Sequence, residues 1–114
     1  MVKYYSCTLD LTFSALGDPI RRGILLKLTH GKVSASELAR PFQVSLPAIS
    51  KHLRVLENAG LIARERDGRI HRFHIVPRRL KEASHWINRY RKFWEERFES
   101  LEKYLEPINK EEKT

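Results

Sequence analysis

One cysteine in 114 residues removes two kinds of chemistry at once. Cys7 alone can close no intrachain disulfide and build no cysteine metal cage, a usage that suits a reducing cytoplasm. No apolar run approaches the roughly 20 residues needed to cross a bilayer. The opening "MVKYYSCTLD" lacks the apolar stretch of an export signal, so a cytoplasmic protein with no membrane partner is expected. Internal repeats and low-complexity segments are absent. So are a glycine-rich phosphate loop, an HExxH motif and a paired-carboxylate motif. Ser50 and His52 lie two apart on a helical segment and diverge, so they cannot act as nucleophile and base. Nothing here points to an enzyme.

What the chain does have is positive charge, unevenly spread. Twenty-two Lys and Arg stand against fourteen Asp and Glu, a net charge of +8. The segment from Arg40 to Pro77 is the most one-sided, with seven basic residues against three acidic. A basic excess of this kind suits a polyanion. Apolar residues make up 41% of the chain, enough for one modest core.

The apolar spacing predicts helices first. Leu9, Phe13 and Leu16 recur at helical intervals. "GDPI" then restarts the chain, with Asp18 as N-cap and Pro19 at the first helical position, where a missing N–H costs nothing. Ile20, Ile24, Leu25 and Leu28 supply the buried stripe of that second helix. "SASE" is a capping box from Ser34 to Glu37, opening a short third helix with Leu38 and Ala39 inward. After Pro41 a tight link leads to a fourth helix capped by Ser45. Ile49, Leu53 and Leu56, with Val55, are expected to face inward. Two helices so closely joined form a helix-turn-helix pattern.

The outward side of the fourth helix then carries Pro47, Ser50, Lys51 and Arg54. Short polar and basic side chains on the first turns of a helix suit base edges and phosphates in a major groove. Ser45 offers a hydroxyl and nearby amides to a phosphate, while His52, beside the buried stripe, could contact DNA or cap the core. Behind the helix, "LIARERDGRIHRFHIV" reads as a hairpin turning at Asp67-Gly68. Its arginines, Arg64, Arg66, Arg69 and Arg72, crowd a tip narrow enough for a minor groove, whose negative potential attracts them. His71 and His74 fall on opposite strand faces and cannot converge on one ion.

From Arg78 to about Leu105 a long amphipathic helix is expected. Its stripe runs through Leu80, Ala83, Ile87, Tyr90, Trp94, Phe98, Leu101 and Leu105, widened by Trp86, Phe93 and Tyr104. A rod of about 42 Å is longer than so small a domain can cover. The broad aromatic stripe therefore predicts a second copy of the chain, with Leu9, Phe13, Trp86, Tyr90, Phe93, Trp94 and Leu101 at the interface. From Pro107 the tail is expected to fray.

The segments "FSALGDPIRRGILLKL", "SASELARPFQVSLPAISKHLRVLENAGLIARERDGRIHRF" and "WINRYRKFWEERFESLEKYL" together resemble the ArsR family of winged-helix transcriptional repressors. The likeness runs from about Leu9 to Leu105. It implies a homodimer formed through the first and last helices, a recognition helix from Ser45 to Ala59 and a wing from Ile62 to Ile75. Many family members sense metals, and here the chain departs from them. The thiolate pair of the third helix has no counterpart in "ASELAR". The frame of the last-helix site places Ala83, His85, Glu96 and Glu99, matching two of four ligand types. Losing an Asp and a His removes half of a tetrahedral shell, so neither metal nor cofactor is expected.

These readings converge on a mainly α protein with a small antiparallel hairpin, in the order α-α-α-α-β-β-α. Residues 1–77 would form the winged helix-turn-helix core, residues 78–106 a dimerisation helix, and residues 107–114 the tail. The expected function is repression by a homodimer bound to a pseudo-palindromic operator in double-stranded DNA. Alternatives are a winged-helix module for protein or RNA, and a metal-responsive repressor of the same fold.

Overall fold

The computed structural model describes residues 2–112, with side chains described for residues 8–106. Five helices and three strands run in the order α1 (Val2–Leu16), α2 (Pro19–Leu28), β1 (Val33–Ser34), α3 (Ala35–Ala39), α4 (Leu46–Asn58), β2 (Ile62–Asp67), β3 (Ile70–Ile75) and α5 (Pro77–Glu112). A 3-10 turn, Arg40–Phe42, lies between α3 and α4. Residues up to Ala83 form one compact unit and those from Ser84 a second, the division falling within α5. The first two turns of α5 stay with the core because Ala83 is buried and Leu80 packs on the apolar cluster.

Caps set the helix starts as their residue types dictate. Asp18 Oδ1 accepts from the Ile20 amide at 2.8 Å and the Arg21 amide at 3.2 Å. Ser34 accepts from the Glu37 amide at 3.4 Å, and Ser45 from the Ala48 amide at 3.3 Å. The core of the first unit is one cluster: Ile24, Leu25 and Leu28 from α2, Leu38 from α3, Ile49, Leu53 and Leu56 from α4, Leu61 from the link before β2, and Ile62 and Phe73 from the sheet. On α1 it is Ala15, Thr12 and, in part, Leu16 that turn inward, while Leu11 and Phe13 face solvent.

Three features depart from the sequence reading. Val33 and Ser34 form a third strand, β1, pairing antiparallel with Phe73 and Arg72 to give the sheet order β1-β3-β2. Two residues are too few to show a period, so only the tertiary pairing reveals the strand. Val55, expected inward, is exposed on α4 because the buried stripe is already filled by Ile49, Leu53 and Leu56. The tail departs as well: α5 continues to Glu112, past the expected end at Glu106. A proline within a helix deletes one backbone hydrogen bond, and the residues after it are acceptable helix formers. Residues 113 and 114 of the expected tail, like the side chain of Cys7, lie outside the described residues. Among the described residues no helix is long and apolar enough to cross a membrane.

Candidate nucleic-acid interface

The helix-turn-helix is α3, the 3-10 turn and α4. Its turn is closed by Gln43 at φ 53°, a left-handed residue that reverses the chain in one step. The Ser45 cap then starts α4, with Pro47 in its first turn and no acidic residue there. Burying Ile49, Leu53 and Leu56 forces the opposite side outward, so Pro47, Ser50, Lys51 and Arg54 are all exposed, as expected. Among the described residues neither Lys51 nor Arg54 has an acidic partner, which leaves both charges available to an outside anion.

His52 is placed differently from its neighbours. Its ring is half-buried and turned to α2, with Nδ1 3.2 Å from Arg21 Nη1 and 3.9 Å from Asp18 Oδ1. Arg21 also donates to the Ala15 carbonyl at 2.7 Å and the Ser14 carbonyl at 3.1 Å. One guanidinium thus ties the end of α1 and the start of α2 to the recognition helix. Burial alone would push the Asp18 carboxyl up, but the Arg21 and Ile20 amides, with the charges of His52 and Arg21, outweigh it and hold the group below its ordinary 3.8. The sequence reading missed Arg21. The one signal was an Arg-Arg pair in the first turn of a helix, where the helix dipole disfavours cations.

The wing follows α4 directly because α4 ends in a Schellman turn. Gly60 at φ 75° lets its amide reach the Glu57 carbonyl at 2.9 Å and the Leu61 amide reach the Leu56 carbonyl at 3.0 Å. Leu56 and Leu61, fully buried, seal the motif. The hairpin register pairs Asp67 with Ile70, so the two loop residues are Gly68 and Arg69 rather than Asp67 and Gly68. Only the first of them has a positive φ, at 64°, the pattern of a type II′ turn.

That register sorts the four arginines. Arg64 lies opposite Phe73 and Arg66 opposite His71 on one face, while Arg72 lies opposite Glu65 on the other. His71 and His74 do fall on opposite faces. Arg64 is tied down: its Nη2 donates to Glu57 Oε1 at 2.9 Å and its guanidinium stacks 5.0 Å from the Phe73 ring centre. Arg66 donates to the Gly68 carbonyl at 3.0 Å, stiffening the tip. Arg69 and Arg72 are exposed and carry no ion pair among the described residues.

The acidic groups near this surface are mostly neutralised. Glu57 is held by Arg64, and Glu65 is held by Lys32 at 2.6 Å. The Lys32 hydrogen bond, with the charges of Lys32 and His74, outweighs burial and keeps the Glu65 carboxyl below 4.5. His74 Nδ1, buried without a hydrogen-bond partner, sits 3.8 Å from Glu65 Oε1. The result is a surface where Lys51, Arg54, Arg69 and Arg72 stand without an ion pair among the described residues, interrupted at the tip by the exposed Asp67.

A helix-turn-helix domain family matches residues 16–65, the segment from the end of α1 into the wing. The transcriptional repressor SdpR of Bacillus subtilis is 35% identical over 75 residues, 66% of this chain and 83% of that protein. Crystallographic neighbours agree: an ArsR family transcriptional regulator has a TM-score of 0.71 at 35% identity, covering 77% of this chain and 91% of that one. This chain belongs to the ArsR family of helix-turn-helix transcriptional regulators. An ArsR-like transcriptional regulator from Rhodococcus sp. RHA1 covers more of it, 91% against 96% of its own length, at 31% identity and a TM-score of 0.70. The regulator Rv2034 of Mycobacterium tuberculosis is 47% identical over 53 residues, and the match spans half of that protein.

The other expected contacts of this ArsR-family chain lie along α5 and α1. Trp86, Tyr90, Phe93, Trp94 and Leu101 are each 39–54% exposed, and Phe13 is 38% exposed. Leu9 is half-buried. The rings stack along α5, with Phe93 and Trp94 edge to face at 5.4 Å. In the metal frame named above, Ala83 is buried, and no group of three His, Cys, Asp or Glu gathers among the described residues.

Proposed function

We propose that this chain is a sequence-specific, cytoplasmic DNA-binding repressor that acts as a homodimer on a pseudo-palindromic operator. In this reading α4 enters the major groove, with Pro47, Ser50, Lys51 and Arg54 toward base edges and phosphates. Arg69 and Arg72 of the wing lie against the backbone and adjacent minor groove. Ser45 positions the start of α4, and Arg64 braces the wing on the end of α4. His52 holds α4 against α2.

One observation carries the reading: a capped helix with an acid-free first turn bears Lys51 and Arg54, neither with an acidic partner among the described residues, while Glu57 and Glu65 are each occupied by another cation. An ordinary solvated surface has no reason to neutralise its acids and leave its bases open. The name of SdpR as a repressor supports the direction of regulation. A two-fold axis through paired α5 helices would set the two reading heads about one DNA turn apart, roughly 34–36 Å.

The test uses duplex fragments selected from a random pool by the full-length protein. Replacing Lys51 and Arg54 together by Ala should weaken binding about 10- to 100-fold. It should also lower the slope of log K against log salt by about 2. Unchanged affinity, with the variant still folded, would sink the proposal.

A further inference from the structure

The first turn of α4 carries no hydrogen-bonding side chain. Leu46, Pro47 and Ala48 follow the Ser45 cap, and the first polar side chain beyond them is Ser50. The Ser45 hydroxyl accepts the Ala48 amide at 3.3 Å, so its oxygen is engaged in starting the helix. Recognition helices present their N-terminal residues to base edges. What the side chains of this turn read, they read by apolar contact.

Leu46 is the largest of the three and stands 52% exposed. The start of the helix does not need an apolar residue there. Val44, one residue before the cap, packs on the core, and Ile49 at the fourth helical position is fully buried. Those two hold the places of a hydrophobic staple, the pair that fixes the entry of a chain into a helix. Leu46 lies between them in sequence and faces solvent.

An exposed leucine on an arbitrary surface carries no message. Here its row continues one and two turns on through the exposed Ser50 and Arg54, with Lys51 exposed beside them. Neither cation has an acidic partner among the described residues, and that charge suits the face to a polyanion. In the major groove of a duplex, the apolar group a leucine can meet is the C5-methyl of thymine.

Resting on the DNA reading above, we propose that Leu46 is a specificity residue that packs on a thymine methyl in each half-site of the operator. Lys51 and Arg54 add affinity through phosphates, which are alike along any duplex. Leu46 adds discrimination, because a base without the methyl leaves its apolar surface against water or a polar edge. The operator then carries a T·A pair where the first turn of α4 meets the groove.

Deoxyuridine tests it, since it differs from thymidine in the base by that methyl alone. In duplexes selected from a random pool by the full-length protein, each thymine of a half-site is replaced in turn. At one thymine the replacement should weaken the parent about fourfold, the worth of one buried methyl-sized group. Leu46→Ala should weaken binding to the thymine duplex at least as much and lose the response at that position. Its salt slope should match the parent's, and so should its unfolding in urea, since Leu46 faces solvent. The scan of the parent needs no variant. A parent indifferent to every replacement, or selected half-sites that share no thymine, overturns the proposal and leaves DNA binding in place. A response that persists unchanged in Leu46→Ala also overturns it, by placing the methyl against another side chain. A pool that yields no enriched duplex overturns the repressor reading and this proposal with it.

Discussion

The compact unit up to Ala83 and the helix beyond it solve the problem of apolar surface in opposite ways. In the first, Ile24, Leu38, Ile49, Leu53, Leu56, Leu61 and Phe73 are all but fully buried by their own chain. In the second, Trp94, Phe98 and Leu101 remain more than half exposed. Both segments contain comparable side chains at comparable helical spacing. What differs is whether the chain returns over them. The head has a sheet and four helices to close its core, whereas the rod keeps its apolar stripe exposed among the described residues. A periodic apolar stripe announces burial, but not against which surface.

The sharpest way to break that contrast is to remove one large side chain from each region. Phe73→Ala should lower the unfolding free energy by about 3–5 kcal/mol in urea titration, since it empties the centre of a closed core. Trp94→Ala should cost about 2–3 kcal/mol in dissociation of the proposed homodimer, read by sedimentation, with the unfolding of the head almost unchanged at monomeric concentrations. An equal loss of head stability in both variants would erase the distinction. A smaller effect sharpens the account of α4: Ser45→Ala should cost about 1 kcal/mol, the usual value of a lost N-cap, and weaken DNA binding as well. Smaller again is Arg64→Ala, whose partly exposed ion pair and ring contact are together worth about 1 kcal/mol or less. That variant should leave the salt slope of DNA binding where it was. A drop in slope would move Arg64 from brace to phosphate contact.

The last prediction concerns acid. Asp18 titrates below its ordinary 3.8 in the folded head. Its stabilising share is therefore complete above that value and disappears as pH falls through the lower folded one. Asp18→Asn keeps a capping oxygen and removes the titration. It should flatten the acid limb of the stability curve below about pH 4 and lower neutral stability by the share that the parent loses in acid. An acid limb identical to the parent would assign the fall to other carboxylates.

Legibility in the chain followed the range of the interactions involved. Asp18, Ser34 and Ser45 were readable as caps because a cap is decided within three residues. Gly60, which ends α4, acts over the same short range. The hairpin was readable as a hairpin, but its loop moved by one residue, to Gly68-Arg69. The register there is set by Phe73 and Ile62 entering the core, not by the preference of Asp-Gly for a turn. Strand β1 was invisible, since a two-residue pairing depends on where β3 comes to lie. Arg21 and Arg64 were invisible as braces. Their partners, His52 and Phe73, stand 31 and 9 positions away, and a cation has the same identity whether it is paired or open.

The sequence by itself determined the helix starts, the basic excess around α4 and the wing, and the apolar stripe of α5, because each depends on residue type and short spacing. The tertiary structure alone decided which of the basic residues are tied down and which stand open, and which apolar stripe is closed. Those outcomes depend on what another part of the fold brings within a few ångströms, and no local pattern encodes that distance.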